Sequence, residues 1–235
     1  MKLSGRLSAV LLVGLVMMVL VATDQILPAA SAYQAEIRIW LAARASGIVA
    51  LLLLTAAVVL GIVLSHPDQN RWKQSKRIFP WHEALWVYVL AFLAVHVASL
   101  VVDRYAGVGI GGALIPGLSE YRSLPVALGV MSMYALLITA LTARYTKLLP
   151  SGMWLRVHRL SLVVLGLAWS HGVLAGTDAV ALTPLYWGVA FAVLAAAVYR
   201  YWIVRERVRR EARAAAARAV PRLMEEADVQ PHPAP

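Results

Sequence analysis

Six apolar stretches, roughly 7–23, 39–65, 81–102, 123–143, 154–175 and 184–204, limit what this chain can fold into. About 20 apolar residues in a helix cross the hydrocarbon core of a bilayer. Backbone polar groups in lipid must be satisfied within their own segment, so the expected elements are helices. No strand alternation and no solenoid-length repeat competes with that reading. At 61% hydrophobic and 14% charged over 235 residues, the chain is excluded from the ordinary soluble domains. The expected fold class is all-α, a polytopic membrane bundle of about six transmembrane helices.

Charge sets the expected orientation. Of the 22 lysines and arginines, 18 fall on one side of the six spans, the last eight of them between Arg200 and Arg222. The other side holds Arg38, Arg44, Arg104 and Arg122. This imbalance predicts that both termini are cytoplasmic, in a multi-pass protein of the cell (inner, cytoplasmic) membrane. A formal charge of +10 concentrated in short loops and a tail fits an anionic lipid surface, and no nucleic-acid partner is expected. The bilayer itself is the first partner.

Four regions follow. Residues 1–37 hold the first helix, which also reads as a signal peptide with AASA at 29–32 as its cleavage site, and an outer loop. Residues 38–178 form the core. Residues 179–204 form the last span, and 205–235 a basic tail that continues the helix before ending in a stretch expected to be disordered. That tail reads either as a stop-transfer anchor or as a docking surface for a cytoplasmic partner. The outer-loop glycines GVGIGG (107–112) follow no strand and are expected to open no helix, so they are loop rather than nucleotide fingerprint.

The core carries the chemistry. His82 and His96 lie in the third span and His158 and His171 in the fifth, while His66 and His232 lie in a basic loop and the tail. Ionisable groups inside spans are costly and usually functional. Both spans run the same way, so His82 and His158 fall near the inner ends and His96 and His171 near the outer ends. A 14-residue step returns to within about 40° of one helix face after about 21 Å of rise, so His82 and His96 share a face. The 13-residue step from His158 to His171 lands about 140° away on an ideal helix. It requires an irregular first turn at His158 or a distortion near Gly166. The chain has no cysteine, which removes thiolate-ligated clusters and covalent haem attachment. Structural zinc needs four converging ligands, and Glu83 reads as a first-turn acid after Pro80. Two imidazoles per site in an apolar wall suit the axial positions of haem b, with Trp86 and Trp169 read either as haem packing or as plain packing.

With WLAARASG (40–47), the spacings of His82, His96, His158 and His171, the loop LIPGLSEYRSLPVALG (114–129), and WLRVHRLS and SHGVLAGTD within 154–178, the chain resembles the ferric reductase-like transmembrane domain family. That family includes the membrane domains of NADPH oxidases and ferric reductases and the haem-binding subunit of the bacterial periplasmic methionine sulfoxide reductase system. The 13-residue step recurs in it. The resemblance implies two haems b, and at least one. His82 and His158 would be the axial ligands of the inner haem, and His96 and His171 those of the outer one. It also places Arg44 beside the outer propionates or an acceptor, where the plain alternative is a snorkelling interfacial arginine. No FAD or NAD(P)H domain is expected, because only about 30 residues follow the last span.

The implied function is an oxidoreductase component, a di-haem cytochrome b. It would take electrons from a cytoplasmic flavin reductase or flavoprotein, with FMN or FAD entering through that partner. An acceptor on the outer side, such as a periplasmic reductase, would receive them. Two other classes remain open: a haem-free transporter or proton channel using the histidines as a relay, and a structural or assembly subunit.

Overall fold

The computed structural model describes residues 14, 31–65, 75–104 and 106–228. The 7–23 segment, with its choice between helix and signal peptide, lies outside the described residues except for residue 14, and His66 and His232 lie outside them too. Within them the chain is helical and has no strand. Its helices are α1 (Ala32–Leu64), α2 (Ser75–Val102), α3 (Gly109–Leu114), α4 (Ser123–Arg144), α5 (Met153–His158), α6 (Ser161–Ala175) and α7 (Thr183–Asp228). Among the described residues five helical stretches are long and apolar enough to cross a membrane, α5 and α6 together making one. The protein is a multi-pass membrane protein.

The helix ends follow local chemistry. Ser31 caps α1, its hydroxyl accepting from the Gln34 N–H at 3.2 Å. Ser65 closes the other end, its N–H donating to the Gly61 and Ile62 carbonyls. Three expectations are corrected here. Helix α2 begins at Ser75, six residues before the expected start, and carries Pro80 inside it, so Glu83 is not a first-turn acid. The loop glycines do open a helix, since Gly109–Leu114 makes a turn and a half. It packs so closely that a Cβ on Gly112 would stand 2.9 Å from Ser119 Cα. The last helix runs on through the arginine-rich segment to Asp228, taking in the first eight of the 15 residues expected to be disordered.

Helix α1 packs along α2, and α4 along α6, with α6 and α7 also against α1. Leu51, Leu54 and Val58 of α1 meet Val89 of α2, Val164 and Leu165 of α6, and Tyr186 and Val189 of α7 in one buried cluster. The outward faces carry exposed leucine, valine, phenylalanine and tryptophan, as a surface solvated by lipid requires.

The fifth span is not one continuous α-helix. After His158 the Leu160 N–H bonds to Val157 O at 2.9 Å and the Leu162 N–H to Arg159 O at 3.4 Å, the i→i+3 pattern of a 3₁₀ turn. Such a turn advances about 120° per residue instead of about 100°, so four residues recover roughly 80°. The 140° mismatch shrinks to about 60°, close to the 40° of the 14-residue step. The irregularity sits directly after His158, and Gly166 lies inside α6.

Candidate functional site

The tightened turn brings the four histidines together in two levels. His96 and His171 face each other with ring centroids 6.2 Å apart and planes at 77°. His82 and His158 do so at 6.0 Å and 88°. The pairing expected across the third and fifth spans is the one observed.

Three of the four rings are held from behind by a neighbouring helix. His96 Nδ1 donates to Ala43 O at 2.6 Å, His82 Nδ1 to Ala57 O at 2.9 Å, and His171 Nδ1 to Pro125 O at 2.8 Å. A carbonyl only accepts, so in each case Nδ1 carries the proton and Nε2 keeps its lone pair.

Each acceptor is followed four residues later by a glycine that lies under the ring. A Cβ on Gly47 would stand 2.8 Å from His96 Nδ1, one on Gly61 3.2 Å from His82 Cε1, and one on Gly129 2.7 Å from His171 Nδ1. A carbonyl and a missing side chain thus make a notch that seats an imidazole. The sequence carried a signal for two of these notches. Ala43 and Gly47 repeat 14 residues later as Ala57 and Gly61, at the spacing of His82 and His96 on the antiparallel partner helix.

His158 is different. Its Nδ1 is buried and has no hydrogen-bond partner among the described residues. It ends α5 one turn after Trp154, whose ring lies 6.2 Å away.

A cavity of about 220 Å³ surrounds the outer pair and is walled mainly by apolar side chains, among them Leu51, Leu54, Leu93 and Val130. Its outer end is polar. Arg44 lies there, mostly buried, over the Trp40 ring at 4.4 Å, with Asp178 as its ion-pair partner and Thr177 as a hydrogen-bond acceptor. Arg44 is therefore at the level of His96 and His171, as expected, and its partner in the chain is a carboxylate that sequence reasoning missed. Tyr121 and Arg122 secure the same corner by donating to the Ala175 and Leu174 carbonyls at the end of α6, at 3.0 and 2.7 Å. Trp169 does not face the cavity; its indole N–H donates to Tyr186 O at 2.9 Å and its ring packs on that tyrosine. Trp86 is half-buried and also absent from the cavity wall.

Among the described residues no three histidines, cysteines or carboxylates converge on one point. Each level offers two imidazoles and no more, so a metal held there must bring its remaining ligands with it. Comparison of the chain with family models, with curated proteins and with solved structures finds no match.

Proposed function

We propose that the chain is a di-haem membrane cytochrome b, a transmembrane electron carrier between a cytoplasmic flavin or flavoprotein donor and an acceptor on the outer side. The observation that carries this reading is the pair of facing imidazoles at each of two levels. At 6.0 and 6.2 Å between ring centroids, the two facing imidazoles of each level are the residues that would hold a haem. Edge-to-face packing alone also falls between about 4.5 and 7 Å. What packing does not require is the tethering of three Nδ1 atoms to carbonyls, the arrangement that orients a ligating histidine and raises its basicity.

His96 and His171 would hold the outer haem, and His82 and His158 the inner one. Haem so held supplies one-electron iron chemistry. The chain supplies the rest. The carbonyl–glycine notches fix ring tautomer and direction, and the apolar wall keeps water away. Arg44 gives the outer level a positive charge, partly balanced by Asp178, in the position the family resemblance implies for propionate contact.

The lysine and arginine distribution supports cytoplasmic termini, with the His82 level inside. With that orientation, outward electron movement is favoured by about 2.3 kcal/mol per 100 mV of inside-negative potential. An apolar cavity wall argues against a hydrated proton relay. Pyridine haemochromogen analysis of the purified protein is the test. Two haems b per chain are expected, one would remove a level, and none would overturn the proposal.

A further inference from the structure

Helix α7 turns one face to the bundle. Tyr186, Val189 and Ala196 are buried and Val193 packs with them, while Trp187, Phe191, Leu194 and Val198 on the other faces are exposed. The inward stripe steps by three and four residues, as one face of a helix must. Its next member is Arg200. A basic residue that only anchors a span belongs on the lipid side, free to reach the headgroups. Arg205, Arg207, Arg209 and Arg210 are placed in that way, exposed at the start of the tail. Arg200 is not.

Arg200 is tied to the inner histidine level. Its Nε donates to Ser65 Oγ at 2.8 Å. Ser65 lies one turn, about 5.4 Å, beyond Gly61, and its N–H donates to the Gly61 carbonyl at 3.0 Å. Gly61 is the glycine under the His82 ring. The outer level has the same plan: Arg44 lies three residues outward of Gly47, the glycine under the His96 ring. The two arginines differ in their partners. Arg44 is paired with Asp178, whereas among the described residues no ion pair includes Arg200. Its Nη1 is buried and has no hydrogen-bond partner among them. A buried charged donor without an acceptor is costly, and inside a span it marks a place for an anion.

We propose that Arg200 is the inner counterpart of Arg44, binding the carboxylates of the inner haem, with Ser65 as the residue that positions it. The inference rests on the proposed haem ligation. Nε is committed to Ser65, and Nη1 is left to donate a charge-assisted hydrogen bond to an anionic oxygen. A lipid phosphate offers the same kind of acceptor, and the experiment separates the two.

The test compares wild type, Arg200→Ala, Arg200→Lys and Ser65→Ala as purified full-length proteins. Haem transfer to apomyoglobin gives the rate of loss, and potentiometry gives the midpoints. The inner component is identified as the one absent in His158→Ala. Arg200→Ala is expected to speed loss of the inner haem about 10–100-fold, the usual worth of a hydrogen bond to a charged group, and to leave the outer component unchanged. It should also lower the inner midpoint, because a nearby cation favours the reduced iron. Arg200→Lys should keep the midpoint near wild type and recover only part of the retention. Ser65→Ala should act in the direction of Arg200→Ala by less. If Arg200→Ala fails to assemble, the other two variants give the answer: faster inner loss in both supports the contact, and unchanged loss in both overturns it. The deciding arm uses protein loaded with protohaem dimethyl ester, whose propionates carry no charge. Wild type and Arg200→Ala should then lose the inner haem at equal rates. A difference that persists with the ester overturns the carboxylate contact and leaves the ligation standing. So does the absence of any difference with protohaem, the result expected of an arginine that serves a lipid phosphate. A wild-type protein without haem overturns both.

Discussion

Replacing Gly129 by alanine should unseat His171 while leaving the bundle folded. The added Cβ would stand 2.7 Å from His171 Nδ1 and 2.9 Å from its Cε1 and Cγ. Carbon contacts relax at about 3.5–4.0 Å, so the ring has to withdraw by roughly 0.8 Å or more. The bond to Pro125 O, 2.8 Å long, then lies at or beyond the limit of about 3.2–3.5 Å. Metal–ligand distances tolerate only about 0.2 Å of error, so the same withdrawal would also take His171 from the place proposed for it on a haem iron. A 10–100-fold loss in retention of the outer haem is expected, the usual size of a lost supporting contact. Gly47→Ala should act on the same component through His96. Gly61→Ala, with its nearest contact at 3.2 Å, should do less to the inner one. Gly166→Ala has nothing within 4 Å and serves as the control; it should leave both haems and raise helix stability by about 0.5–1 kcal/mol. Haem quantitation, potentiometry and thermal melting of the four variants form the assay. An outer component unchanged in Gly129→Ala would refute the notch argument. Equal haem loss in Gly166→Ala would refute it too, by tracing the effect to general damage.

Pairing across the two parallel spans predicts that His96→Ala and His171→Ala remove one redox component and His82→Ala and His158→Ala the other; joint loss from His82→Ala and His171→Ala would contradict it. Arg44→Ala should lower the outer midpoint, Asp178→Asn should raise it, and Arg44→Lys should restore only part of the arginine effect, because the planar fork is lost; potentiometry of the three variants checks this. The chain has no cysteine, so single introduced cysteines report topology directly. Glu120→Cys should react with an impermeant maleimide added outside and Lys147→Cys only after lysis, and the reverse pattern would invert the orientation.

Much of the bundle was legible because lipid imposes one rule on every residue of a span. The 123–143 reading and α4 differ by one residue. The boundary of α2 was not legible, since basic residues and Pro80 read as a stop, while the helix carries a proline near its start. The four histidines stood out because apolar runs rarely contain imidazoles. Their 13-residue spacing was visible as an anomaly, but its resolution depends on a 3₁₀ turn of two hydrogen bonds after His158 that no residue type announces. Asp178 went unread as the partner of Arg44 because 134 positions separate them and only folding makes them neighbours. The notches were half-visible. Alanine and glycine four apart are common in apolar helices, and they acquire meaning only once α1 is known to run against α2.

The three filled notches have a mechanical consequence. Each imbeds a side chain of one helix in the backbone of another, α2 in α1 twice and α6 in α4 once. If α1 slid along α2 by a single turn, about 5.4 Å, both of its detents would disengage at once. The next position that re-engages even one lies 14 residues away, about 21 Å along the axis. The hairpin is therefore indexed like a bolt in its catch: it has one closed setting, and a chain that has reached it is already gauged for whatever the imidazoles are to grip.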